Sequence, residues 1–192
     1  MKCGTDVLKL FYEEKERWAF SFENLVQLSR LKSHYECNKI LSKTGEFQAN
    51  NKGDKRMKIF MERSILSSFN VFTLNTYEEK GLNKVEFDIL NRYFCLFKNE
   101  LTANANNANI ENVSYKIIYI RTNPDVTFGR LKKRNRDSED TIDLDYLTKI
   151  HQKYETWIAN LNSQDNSIVK IVDGNLDKNQ VISQIDKILH FE

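Results

Sequence analysis

Lys116 to Asp140 reads KIIYIRTNPDVTFGRLKKRNRDSED. Lys116 to Arg121 is a short apolar run rich in β-branched residues, and Thr122-Asn123-Pro124 stops it. That pattern predicts a buried strand followed by a helix starting at the proline. The helix carries Phe128 and Leu131 inward and runs out through Arg130, Lys132, Lys133, Arg134 and Arg136, with Asp137, Glu139 and Asp140 directly after. Such a cluster has a plain reading, a solvated basic helix end that suits the helix dipole. It has a sharper one too: a strand, a turn and a helix ending in guanidiniums can place movable positive charge over a polyphosphate. The stretch by itself leaves both open.

Outward from it lie two more short apolar runs, Met57 to Met61 (MKIFM) and Ile168 to Val172 (IVKIV), each expected as a buried strand. Helical patterns separate the three. From Glu13 to about Ser42, Trp18, Phe22, Leu25, Leu28 or Ser29, and Tyr35 recur at helical spacing with no proline or glycine between them. The same offsets align Glu23, Val26 and Arg30 on one face. Ile65, Leu66, Phe69 and Phe72 open another helix. Lys84 to Leu101 is a further one, with Val85, Phe87, Leu90, Tyr93, Phe94 and Phe97 as core, and Leu144 to Leu161 and Asn179 to Leu189 complete the set. His151 falls on an apolar side and is expected to be a packing histidine. Gly45 to Asp54 and Ala103 to Asn112 read as loops. Nearly continuous apolar strands alternating with helices predict an α/β fold, a parallel sheet with helices on both faces.

Composition bounds the function classes. A chain of 192 residues with 40% apolar and 11% aromatic residues is expected to form one domain with a real core. A net charge of +2 gives no global reason to expect nucleic acid as a partner. Cys3, Cys37 and Cys95 are far apart and form no CxxC, and the three histidines show no ligand spacing, so a reducing compartment, cytoplasmic or nuclear, and no structural metal are expected. No run approaches the roughly 18 apolar residues of a membrane span, and no membrane association is expected.

Glu62-Arg63-Ser64 follows the Met57 to Met61 run directly, where open α/β sheets bind ligands. Its plain reading is a pair of helix-start polar residues. At this point the chain resembles the deoxynucleoside kinase family, which includes deoxycytidine and deoxyguanosine kinases, mitochondrial thymidine kinase, and insect and viral relatives. Four pieces carry the resemblance in order. They are VLKLFYEEKERWAFSFENLVQLSRL from Val7 to Leu31, the ERS triplet with Phe72, the Tyr119 to Glu139 strand and basic helix, and LDYLTKIHQKYETW from Leu144 to Trp157.

The resemblance implies a P-loop kinase-like fold, ATP and Mg as cofactors, a deoxynucleoside substrate and a homodimer. It implies that Tyr12 and Glu139 hold the sugar 3′-hydroxyl and that Phe72 stacks on the base. Arg63 would sit near the 5′-hydroxyl and Glu62 near the phosphate and its magnesium. Arg130, Arg134 and Arg136 would close as a lid on the ATP phosphates. Where the family has a glutamine that reads the base edge, this chain has Glu23, and Val26, Arg30 and Ser68 occupy other positions that tune base choice. An ionised carboxylate only accepts, whereas an amide donates and accepts. The preferred base is therefore open.

The family also has a GxxxxGK[ST] phosphate loop and a Glu-Pro pair whose glutamate acts as base. The six glycines here never take that spacing, and Pro124 is the only proline. Both parts, with the first two strands, are expected upstream of Met1. The loop strand would lie between the Met57 and Lys116 strands. Without it, unpaired sheet edges cost on the order of 1 to 3 kcal/mol per group, so residues 1 to 192 alone are expected to be unstable and inactive. Two alternatives remain: a non-catalytic nucleoside-binding remnant or pairing module, and a nucleoside monophosphate kinase, against which the ERS triplet and the Tyr12 to Trp18 segment speak.

Overall fold

The computed structural model describes residues 6–49, 58–106, 116–136, 139–164 and 168–190, with side chains over 6–40, 58–98, 116–136, 139–164 and 168–189. They form two compact units, one of residues 1–13 with 114–192 and one of residues 14–113.

The first unit contains α1 (Val7–Glu13), β1 (Ile117–Arg121), α6 (Pro124–Arg134), α7 (Leu144–Gln164), β2 (Val169–Asp173) and α8 (Lys178–His190). β1 and β2 pair in parallel, from Ile117 opposite Val169 to Arg121 opposite Asp173. A parallel pair needs a crossover, and α6 and α7 supply it. Tyr119, Val169 and Val172 are buried on the sheet, and Ile150, Trp157 and Ile158 are buried on α7. Arg121 binds Glu155 through two nitrogens, 2.9 and 2.7 Å, and the Tyr119 hydroxyl donates to the same carboxylate at 3.0 Å. This network ties the strand to α7. Burial and the Glu155 charge push the Tyr119 phenol well above its ordinary range.

Pro124 starts α6 at its first turn, where the missing N–H costs nothing. Asn135, left-handed at φ 49°, ends it. The strand and helix expected from the 116–140 stretch are both present. Just past β2, a Cβ added at Gly174 would lie 2.1 Å from Thr122 Oγ1 and 2.9 Å from the Arg121 carbonyl. Gly174 N–H donates to that carbonyl at 2.7 Å, so this backbone cannot retreat without losing the bond. Gly174→Ala is expected to cost about 1 to 3 kcal/mol by overpacking. An unchanged urea midpoint would show that the loop yields freely.

The second unit contains α2 (Lys15–Ala49), α3 (Ile65–Ser67), a π-helical segment over Ser68–Thr73, α4 (Leu74–Glu78) and α5 (Lys84–Asn106). Phe69 stacks on Phe94 at 4.2 Å between centroids and on Phe87 at 5.7 Å, and Val71 and Leu90 are fully buried. Beyond Val85 and Tyr93 of α5, expected as core but 68% and 44% exposed, three sequence expectations need correction here. The MKIFM run is not a strand: Lys58 to Met61 is irregular, with Phe60 64% exposed, and Met57 lies outside the described residues. An apolar run becomes a strand only where a neighbour takes its backbone groups, and the described sheet consists of β1 and β2. Helix α2 continues to Ala49 and α5 to Asn106, through the starts of both expected loops, whose remainders (50–54 and 107–112) lie outside the described residues.

The third correction concerns the buried face of α2. Leu25, Leu28 and Tyr35 are 44%, 60% and 72% exposed, while Ala19, Glu23 and Gln27 are buried. Spacing of apolar residues picked the wrong side, because the inward side is polar.

Candidate functional site

In the 14–113 unit the polar face of α2 lies against the segment from Glu62 to Thr76. Glu23 and Gln27 are 1% and 2% exposed. Thr73 Oγ1 donates to Glu23 Oε2 at 2.7 Å, and Thr76 Oγ1 to Glu23 Oε1 at 3.0 Å. Each hydroxyl owns one proton, yet Thr73 Oγ1 also lies 3.3 Å from the Ser68 carbonyl and Thr76 Oγ1 3.0 Å from the Phe72 carbonyl. Two protons thus face four acceptors. A proton on Glu23 supplies a third donor and lets a threonine turn to its backbone carbonyl. Burial acts in the same direction. It pushes the Glu23 carboxyl up to about 7, against the two threonine bonds, which pull it down.

The backbone around the π-helical segment positions these groups. Ser64 caps α3: Ser67 N–H donates to Ser64 Oγ at 3.2 Å, and Ser64 N–H donates to Ser67 Oγ at 3.2 Å. The widened turn that follows buries Ser68, Phe69, Val71 and Thr73. Such turns re-aim side chains and are common at functional sites. Arg63 takes a left-handed conformation, φ 57°, and its guanidinium sits 4.8 Å over the Phe72 ring. Arg30 Nη1 donates to the Glu62 carbonyl at 2.7 Å. Val26 is half-buried and Ser68 buried. The structure thus places Glu23 and Arg30 on α2, and Glu62, Arg63, Ser68 and Phe72 on the segment that α2 meets. Arg30 and Glu23 take separate partners in it. Thr73, Thr76 and Gln27 were missed by the sequence reading. The only signal for them was that a buried carboxyl on α2 must find donors.

In the other unit the basic end of α6 turns back on an acidic residue. Glu139, 12% exposed at its side chain, takes a hydrogen bond from Arg134 Nη2 at 2.5 Å and lies 3.9 Å from Arg136 Nη1. Arg134, Arg136 and Glu139 are together. Arg130 is engaged elsewhere: it donates to the Gly174 carbonyl at 2.6 Å and the Leu176 carbonyl at 3.0 Å, which ties α6 to the loop after β2. Tyr12, beside the buried Phe11, meets Tyr146 edge-on at 6.3 Å. Two guanidiniums held by one carboxylate keep an excess of positive charge, which a polyanion can draw away from it.

Residues 2–190 match the sequence model described as Deoxynucleoside kinase. The chain is similar to deoxycytidine kinase of Rattus norvegicus, 29% identical over 99% of this chain and 70% of that protein. It is also similar to deoxycytidine kinase of Bos taurus, 29% identical over 86% of this chain and 57% of that protein. Among solved structures it resembles a deoxyadenosine kinase from M. mycoides with bound dCTP. That likeness has TM-score 0.64 and 19% identity and covers 97% of this chain and 81% of that one. It shows the fold, P-loop kinase-like α/β. No described helix is long and apolar enough to cross a membrane.

Proposed function

The chain belongs to the deoxynucleoside kinase family, and from that premise we propose that it serves ATP-dependent phosphorylation of the 5′-hydroxyl of a deoxynucleoside. The single observation that carries the proposal is the Arg134, Arg136 and Glu139 cluster at the end of α6. The cluster gathers two guanidiniums, 50% and 63% exposed, on one carboxylate only 12% exposed, which leaves them free to move to a ligand.

The resemblance to the family assigns the roles, and the chemistry of each group suits them. Base contacts fall to the 14–113 unit, with Phe72 as the stacking ring and Glu23, Val26, Arg30 and Ser68 as wall. Arg63 reaches the 5′-hydroxyl. In the other unit Tyr12 and Glu139 hold the sugar 3′-hydroxyl, and Arg134 and Arg136 move from Glu139 to the phosphates, where they stabilise charge on the transferring group. Arg130 keeps the start of that lid in place through the Gly174 and Leu176 carbonyls.

The donor set also suits a magnesium ion. Among the described residues no group of three or more His, Cys, Asp or Glu could hold a metal by itself, and Glu62 offers one exposed carboxylate. Magnesium is typically bound through one or two carboxylates together with nucleotide phosphates. When bound, it would neutralise charge on those phosphates. The proposal extends to a homodimer in the cytoplasm, supported by the resemblance.

Incubation of the protein with ATP, Mg and each of four deoxynucleosides is expected to yield the 5′-monophosphate. Deoxynucleoside binding without product would favour the non-catalytic binding module, and absence of both would overturn the two readings together.

A further inference from the structure

Glu139 and the two guanidiniums on it differ in how far each can move. The Glu139 side chain is nearly covered, so its carboxylate is held where it stands, whereas the side chains of Arg134 and Arg136 are half exposed or more. The contacts divide by oxygen: Arg134 Nη2 donates to Oε2 at 2.5 Å, and Arg136 Nη1 lies 3.9 Å from Oε1. Both oxygens of the carboxylate thus face positive charge. Arg130, on the same helix, is committed to the Gly174 and Leu176 carbonyls, so α6 stays anchored while the two guanidiniums at its end move.

The reading above gives each member of this cluster a second partner: the sugar 3′-hydroxyl for Glu139, and the ATP phosphates for Arg134 and Arg136. The old and new partners compete. A hydroxyl that donates to Glu139 contends with the guanidiniums for the same oxygens, and a guanidinium on a phosphate has left Glu139. Whichever substrate arrives first breaks the cluster, and the second finds its group already released. Two ligands that pull one equilibrium in the same direction strengthen each other, and by the same factor each way.

Resting on that nucleoside kinase reading, we propose that the Arg134–Glu139–Arg136 cluster is a clasp that either substrate opens, so that ATP tightens deoxynucleoside binding and the deoxynucleoside tightens ATP binding. The coupling passes through the 3′-hydroxyl. A sugar without that hydroxyl leaves Glu139 on Arg134, and the phosphates then bind against a closed clasp.

Equilibrium binding to the protein tests this with each of four deoxynucleosides and its 2′,3′-dideoxy counterpart, which lacks the 3′-hydroxyl. Each is titrated with and without Mg and the β,γ-imido analogue of ATP, which cannot transfer its phosphate. The analogue is expected to tighten deoxynucleoside binding about 5- to 150-fold, the ordinary span of coupling between sites, and to leave dideoxynucleoside binding unchanged. Arg134→Met removes the 2.5 Å contact. It is expected to raise the ratio of deoxynucleoside to dideoxynucleoside affinity in the absence of the analogue, a ratio that does not depend on the fraction of protein folded. Equal tightening of both sugars, tightening of neither, or an unchanged ratio in Arg134→Met would overturn the clasp and leave the nucleoside kinase reading intact. Wild-type protein that binds none of the deoxynucleosides would overturn that reading and the clasp with it.

Discussion

Arg63→Ala is expected to lower the rate of phosphoryl transfer by the protein about 100- to 1,000-fold, the range seen when one charge-stabilising donor is removed, and to leave its folding intact. The backbone at Arg63 is left-handed, φ 57°. A non-glycine residue held there stores on the order of 1 to 3 kcal/mol, which persists where surrounding structure over-determines it. Its guanidinium is exposed, rests on the Phe72 ring at 4.8 Å and makes no ion pair with a carboxylate among the described residues. A strained residue that displays an uncommitted cation beside an aromatic ring fits binding better than folding.

Alanine accepts the same dihedral at a similar backbone cost, so the comparison isolates the guanidinium. Glycine relieves the strain: Arg63→Gly should be about 1 kcal/mol more stable than Arg63→Ala. Single-turnover kinetics with ATP, with urea midpoints alongside, reads both quantities. Wild-type turnover in Arg63→Ala would remove Arg63 from the reacting centre.

Much of this molecule was legible in the sequence where physics is local. The 116–140 stretch announces its strand by apolar β-branched residues, its helix start by Pro124 and its end by a basic turn, and β1 and α6 follow that reading. Their parallel partner, β2, was equally plain. The errors arose where a distant group decides. MKIFM has the composition of a strand, but a strand exists only through its neighbour's hydrogen bonds. Apolar periodicity placed Leu25, Leu28 and Tyr35 inside α2, whereas the inner face carries Glu23 and Gln27. A helix that lines a polar site violates the pattern used to find its buried side, and the violation itself marks the site. The π-helical turn left no sequence signature either. Widening by one residue at Ser68–Thr73 depends on how the segment packs, and it is what presents Thr73 and Thr76 to Glu23.

Glu23 gives the second large effect, in stability rather than rate. Burial raises its folded pKa from 4.5 to about 7, so the folded protein binds more protons than the unfolded chain throughout that interval. Stability must then fall as pH rises from about 4.5 through about 7, and level off above it. Below that window both states are protonated and the native hydrogen bonds are undisturbed. Above it a buried carboxylate persists at a cost on the order of 3 kcal/mol. Glu23→Gln removes the charge and keeps the shape. Its carbonyl accepts from one threonine and its amide donates to the other, which frees that hydroxyl proton for a backbone carbonyl, Ser68 or Phe72. The variant is therefore expected to match wild type near pH 4.5, to exceed it by about 3 kcal/mol at pH 8, and to lose this part of the pH dependence. Urea unfolding of both proteins at pH 4.5, 6 and 8 measures the difference. Parallel curves would mean that Glu23 is ionised and satisfied throughout, with both threonine protons turned to it and neither to the backbone.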